Sequence, residues 1–168
     1  LAMDLVAANQ AKSEFLDVID PVSHTNFGPL EVTELQGSNV WDLDETILQS
    51  IEFSGEWTVD TSYSQCAWIY WRRSGSEYRS LFQGDESQAI VLRNTTLGVY
   101  SEQGDQPGFF SSGYDADVHE WNFVCVVGEG SAKGGGLGTS TFYVAAPGES
   151  HVREVGTADR GISGTRLR

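Results

Sequence analysis

From Leu30 onward the chain is a succession of short apolar or aromatic segments separated by turn residues, and nothing with helical periodicity interrupts them. The pattern predicts strands near Leu30–Leu35, Ile47–Phe53, Gln65–Trp71, Arg79–Gln83, Ala89–Arg93, Leu97–Ser101, Trp121–Val127, Thr139–Ala145 and His151–Val155. Nine short strands without intervening helices call for an antiparallel β-sandwich, because each half-apolar sheet must bury one face against another. Gly128 to Gly138, with six further glycines or small residues between them, separates two strong strands and reads as a flexible hairpin loop. A phosphate cradle is the competing reading, but no Gly-Lys-Ser/Thr sequence and no following helix supports it.

The first residues have a different character. Leu5, Ala8, Phe15, Leu16 and Ile19 fall at roughly helical spacing between Ala2 and Asp20, and Asp20-Pro21 is a natural stop. The expected organisation is therefore an N-terminal helix and linker arm over 1–28, followed by a sandwich over 29–168. At 168 residues the chain is long enough for one domain with a real core. It begins at Leu1, without a basic and then apolar leader, and reads as a processed or fragmentary chain. No segment has the length of apolar sequence that a membrane helix needs.

Charge excludes some partners. The net charge is −14, and residues 1 to 60 carry twelve acids against the single base Lys12. Such a field repels phosphate backbones and anionic lipid, so neither nucleic acid nor a membrane surface is an expected partner. Carboxylates could instead hold Ca²⁺, the one cofactor this composition suggests, face a basic partner, or simply keep the surface solvated.

The only cysteines, Cys66 and Cys125, lie in the middle of two aromatic-rich strands. Alternation puts Cys66 on one face with Trp68 and Tyr70, and Cys125 on one face with Trp121, Phe123 and Val127; both faces are expected to point into an apolar layer. Two such thiols fit either a cross-strand disulfide or a pair of buried free cysteines. A disulfide implies an oxidising compartment, outside the cell or in an organelle lumen. On this reading Trp68 and Trp121 belong to the core, while Trp71 falls on the opposite face and could be exposed for a ligand. The loop acids Asp85, Glu86, Asp105, Asp115 and Asp117 lie between strands, where binding residues are disproportionately carried; of these, Asp85, Glu86, Asp115 and Asp117 join Trp71 as candidate ligand-binding residues. Asn94-Thr95-Thr96 is an N-glycosylation sequon, usable on a secretory route.

Several of these segments carry a family resemblance. Ile51-Glu52-Phe53-Ser54-Gly55, Cys66-Ala67-Trp68-Ile69-Tyr70, Trp121-Asn122-Phe123-Val124-Cys125-Val126-Val127 and Thr141-Phe142-Tyr143-Val144 occur in the order of strands in the concanavalin A-like jelly roll. The chain from about Ser50 resembles the laminin-G-like and pentraxin-like branch of that superfamily. The resemblance implies an all-β, antiparallel jelly-roll sandwich and, from the pentraxins, a bridge between Cys66 and Cys125. It also implies further strands after His151–Val155 than the sequence to Arg168 has room for, so the closing strands are expected to be missing, or supplied by the N-terminal region or another chain. The missing part is where pentraxins hold most of their Ca²⁺ ligands, so no metal residues carry over.

The superfamily also contains glucanases, whose retaining chemistry needs two carboxyls about 5 Å apart on one strand. No Glu-x-Asp-x-x-Glu sequence occurs, and the nearest group, Asp42-Leu43-Asp44-Glu45, suits a surface turn. His24, His119 and His151 are isolated and give neither metal spacing nor a triad. The expectation is a non-catalytic, lectin-like module for a glycan or protein ligand. The alternative is a structural accessory subunit that docks against neighbouring subunits of a larger complex; a glycoside hydrolase ranks last.

Overall fold

The computed structural model describes residues 24–26, 31–35, 38–42, 51–53, 57–72, 78–82, 84–130, 138–162 and 164–167. They fall in two compact units that divide between Glu56 and Trp57. The expected helix over Ala2 to Asp20 and the boundary at 28/29 lie outside the described residues. In the first unit β1 (His24–Asn26) pairs antiparallel with β4 (Ile51–Phe53), and β2 (Glu31–Leu35) pairs antiparallel with β3 (Ser38–Asp42).

The second unit is built from β5 (Trp57–Thr58), β6 (Ser62–Tyr70), β7 (Tyr78–Ser80), β8 (Ser87–Arg93), β9 (Thr96–Ser101), β10 (Gly108–Asp115), β11 (Trp121–Gly130), β12 (Gly138–Ala145), β13 (Arg153–Ala158) and β14 (Arg166–Leu167). Among the described residues there is no helix, and all pairings are antiparallel. Two sheets of four strands result, in the orders β10-β9-β8-β7 and β13-β12-β11-β6, while β14 pairs with β5. The strand β10, which the apolar pattern does not announce, is Gly- and Ser-rich and is held by its neighbour β9.

Chain order explains the arrangement. β7 to β10 form an up-and-down meander joined by short turns, such as the two-residue turn at Asn94-Thr95, where Asn94 takes φ 56°. Asn is one of the few residues that tolerates this left-handed conformation. The chain then returns to place β11 beside β6, and β12 and β13 continue outward. Ile90, Leu92, Leu97 and Val99 of one sheet and Val124, Val126, Phe142 and Val144 of the other are almost wholly buried and form one apolar cluster, giving a sandwich-like pair of sheets.

The two sheets meet most closely where β10 faces β13. Both strands are bulged there, β10 between Ser111 and Asp115 and β13 opposite Phe142 and Tyr143. Gly113, at φ 79°, makes the first bulge possible. Thus the β13 edge, expected to lack a neighbouring strand, lies against β10.

A polar lattice ties the last residues to both sheets. Tyr63 lies across Gly128, where a methyl group would come within 1.9 Å of its ring. Ser140 Oγ donates to the carbonyl of Arg160 at 2.5 Å, so the Tyr63 hydroxyl donates to Ser140 Oγ at 2.6 Å and accepts from the Ile162 N–H at 3.1 Å. Gln103 Nε2 bridges Glu86 and Thr165, and the Arg160 guanidinium covers the Phe110 ring at 4.1 Å.

Burial pushes the Tyr63 phenol above its ordinary value of 10.0, more strongly than its hydrogen bonds lower it. The folded chain therefore keeps a proton that the unfolded chain releases near pH 10. This contribution to stability is complete below pH 10 and is lost as pH rises from there through the higher folded value. Tyr63→Phe is expected to cost about 1–2 kcal/mol at neutral pH, by leaving the Ile162 N–H unpaired. It should also remove this component of the alkaline slope. Urea midpoints from pH 8 to 11 check this; equal slopes in the two proteins would contradict it.

Candidate functional site

The outer side of the β13-β12-β11-β6 sheet is the most distinctive surface. β6 and β11 run in unbroken register from Trp121 opposite Tyr70 to Glu129 opposite Ser62. Cys66 and Cys125 face each other in the middle, with Cα atoms 4.0 Å apart, and are joined by a disulfide. Above the bridge the outward positions hold Trp68 opposite Phe123 and Tyr70 opposite Trp121. Their ring centroids are 5.5 Å and 5.7 Å apart in tilted and edge-on arrangements. Tyr143 of β12 stands beside Cys125.

The expected direction of this face is corrected by burial. Cys66, Trp68 and Tyr70 do share a face, as do Cys125, Trp121, Phe123 and Val127, but it is the outer one: Trp68 is 51% exposed and Val127 43%. The inner face is built by Ala67, Ile69 and Trp71 with Val124 and Val126. Trp71, expected to be exposed and to meet a ligand, is 8% exposed and belongs to the core cluster. Trp68, expected in the core, is the most exposed ring of the face, and Trp121 is half-buried on the same side. The physical reason is that these strands are apolar on both faces, so alternation groups the side chains without saying which group is inside.

The four candidate acids do not converge. Asp85 and Glu86 lie in the turn before β8, where Glu86 accepts from Gln103 Nε2 at 2.9 Å. Asp115 and Asp117 lie at the far end of β10, about 20 Å away by the length of β8. There Asp115 accepts from Thr95 Oγ1 at 3.1 Å and Thr96 Oγ1 at 2.6 Å, and the Asp117 carbonyl accepts from Asn122. Asp115 thus closes the turn that carries Asn94, which is exposed at its tip. Asp105 is exposed in the turn after β9. Among the described residues no three His, Cys, Asp or Glu side chains stand together as metal ligands would.

Of the histidines, His119 occupies a turn at φ 66° and donates its N–H to the Trp71 carbonyl; His151 Nδ1 lies 2.7 Å from Ser150 Oγ. Asp42 ends β3, while Asp44 and Glu45 lie outside the described residues. The opposite sheet carries its own outward cluster, in which Tyr78 packs at 5.1 Å from Tyr100 and 6.0 Å from Phe109. Arg93 covers the Tyr78 and Phe109 rings, so their faces are already engaged by a cation of the same chain.

The aromatic face bounded by Trp68, Tyr70, Trp121, Phe123 and Tyr143 is therefore the surface best suited to receive a ligand. Its bearing positions are uncharged in a chain of net charge −14, and the nearest acids on the same face, Glu129 and Glu154, stand at its margins. Among the described residues no helix is long and apolar enough to cross a membrane. Comparison with protein families, curated proteins and solved structures found no match to the chain.

Proposed function

We propose that this chain is a non-catalytic, lectin-like binding module of the concanavalin A-like jelly-roll type, working outside the cell or in an oxidising lumen. Its receptor surface is the aromatic face over the Cys66–Cys125 bridge. The observation that carries this reading is the exposed, uncharged platform centred on Trp68. Flat rings fixed by strand pairing present apolar area at little cost in side-chain freedom, which suits the apolar faces of sugar rings. Because no charge lies among the rings, the ligand is a neutral glycan. The jelly-roll assignment is supported by the all-β pairing, the two four-stranded sheets and the bridge between the two strands that carry the family resemblance. The disulfide accords with an oxidising location.

Trp68→Ala is expected to weaken binding to a neutral oligosaccharide by about ten-fold, the scale of one well-placed aromatic contact of about 1.4 kcal/mol. Calorimetric titration of the full chain measures it. Affinity should change less than about two-fold between low and high salt, because no ion pair contributes. Repeating the titration with a chelator decides whether Ca²⁺ takes part. A chain that retains no neutral glycan, or a Trp68→Ala variant that binds as well as the parent, would remove the proposal.

A further inference from the structure

Of the five asparagines in the chain, Asn94 alone begins an Asn-x-Ser/Thr sequence whose middle residue is not proline, Asn94-Thr95-Thr96. The structure sets it at the tip of the β8–β9 hairpin, exposed and at φ 56°, a left-handed position that asparagine tolerates. The turn is anchored from the other side. The Ala116 N–H donates to the Thr95 carbonyl at 2.8 Å, and the Thr95 and Thr96 hydroxyls both donate to the Asp115 carboxylate. These bonds hold the hairpin without drawing on the Asn94 side chain. Asn122 is the contrast: it is 6% exposed, and its amide donates to the carbonyls of Asp117 and Glu120.

The surroundings of the turn add a second observation. Tyr78, 45% exposed, pairs with Arg93, the residue before Asn94, and packs with Tyr100 and Phe109. An exposed aromatic cluster of this kind is a liability unless something polar stands over it. A bulky, hydrated glycan rooted at the next residue has that cluster within its reach. Asn94 also belongs to the sheet opposite the one that carries Trp68, so a glycan there leaves the aromatic face over the bridge open.

We propose that Asn94 carries an N-linked glycan at the tip of this hairpin. In the transfer, Asn94 Nδ2 forms a bond to the anomeric carbon of an oligosaccharide carried on a lipid diphosphate. The bond from that carbon to the diphosphate oxygen breaks, the lipid diphosphate leaves with the electron pair, and Nδ2 gives up one proton to a base of the transferring enzyme. In the folded chain the Thr96 hydroxyl is held by Asp115, so the transfer belongs to the stage before the hairpin has closed. Glycosylation here rests on the oxidising, secretory location in the proposed function, and is independent of the ligand bound at Trp68.

Mass spectrometry of unreduced peptides from the full chain, isolated from its native source, reads the bridge and the glycan together. Peptide N-glycosidase should release one glycan and leave aspartate at position 94, which marks the site. Asn94→Gly keeps the left-handed turn, and Thr96→Ala keeps the acceptor amide but removes the hydroxyl of the sequon; each should abolish the glycan, whereas Thr96→Ser should retain it. Should Asn94→Gly fail to fold, Thr96→Ala decides. A chain with the bridge formed and Asn94 unmodified would overturn the proposal and leave the location standing. A chain with both cysteines reduced and Asn94 unmodified would overturn the two together, and a glycan that survives both Asn94→Gly and Thr96→Ala would overturn the assignment to this residue.

Discussion

Replacing Cys66 and Cys125 together with serine is expected to lower the stability of the second unit by about 4 kcal/mol, the chain-entropy cost of a loop of this length. The bridge spans a sequence separation of 59, and the loop it closes contains the whole β7 to β10 meander. β6 and β11 are thus neighbours in space but distant in sequence, and their pairing must bear the entropy of closing that loop. The bridge removes that freedom from the unfolded chain. Reduction of the parent under denaturant should give the same loss as the double replacement, since both act on the unfolded state. A loss below about 1 kcal/mol by both routes would show that the unfolded chain already holds the two strands together.

Loss of the bridge should also reach the ligand. Trp68 and Phe123 sit one outward position beyond the cysteines, and Tyr70 and Trp121 one beyond that. Their spacing depends on β6 staying in register with β11, because a slip of one residue turns every outward ring inward. The double replacement is accordingly expected to weaken neutral glycan binding even at temperatures where the chain remains folded. If binding is unchanged while stability falls, the register is held by the inner faces alone.

Much of the β architecture was legible because short apolar runs between turn residues have few other ways to bury themselves. Strands around Cys66, Ala89, Leu97, Trp121 and Thr139 lie close to where alternation places them, and the cysteines meet as facing strands require. What misled was the side. Val124 and Val126 alternate with Phe123 and Cys125, so both stripes of β11 look suited to a core. The ends of the same stripes held the missing signal: Ser62, Ser64 and Glu129 share the parity of the cysteines, and a charged residue marks the wet face. Trp71, an aromatic on the other parity, was correspondingly destined for the interior. The separation of Asp85 and Glu86 from Asp115 and Asp117 was not readable, because it depends on which ends of the β7 to β10 meander lie together. Strand β10 is not legible as an apolar run because Gly108, Ser111, Ser112 and Gly113 break up its aromatic residues Phe109, Phe110 and Tyr114; β9 and the Ser112 hydroxyl on the Leu97 carbonyl hold it in place.

Gly156→Ala is expected to be the most damaging single methyl addition among the described glycines of the β10–β13 contact, costing about 3 kcal/mol. A Cβ at residue 156 would lie 2.0 Å from the carbonyl oxygen of Ser112 and 3.0 Å from its carbon. Those are backbone atoms of a bulged strand whose Ser112 hydroxyl is already committed to Leu97, so no side chain can swing aside. Relief requires β13 to withdraw from β10 along the line where the sheets come closest, which would loosen the wholly buried Ala158 and Phe142 behind it. Gly148 provides the comparison: its φ of 86° strains any side chain, but nothing lies within 4 Å of its added carbon. Gly148→Ala should therefore cost only about 1 kcal/mol. Thermal unfolding of both variants separates close approach from backbone conformation as the reason for glycine. If Gly156→Ala were the milder of the two, β10 and β13 would have room to part, and the junction of the sheets would be a loose contact and not a fixed one.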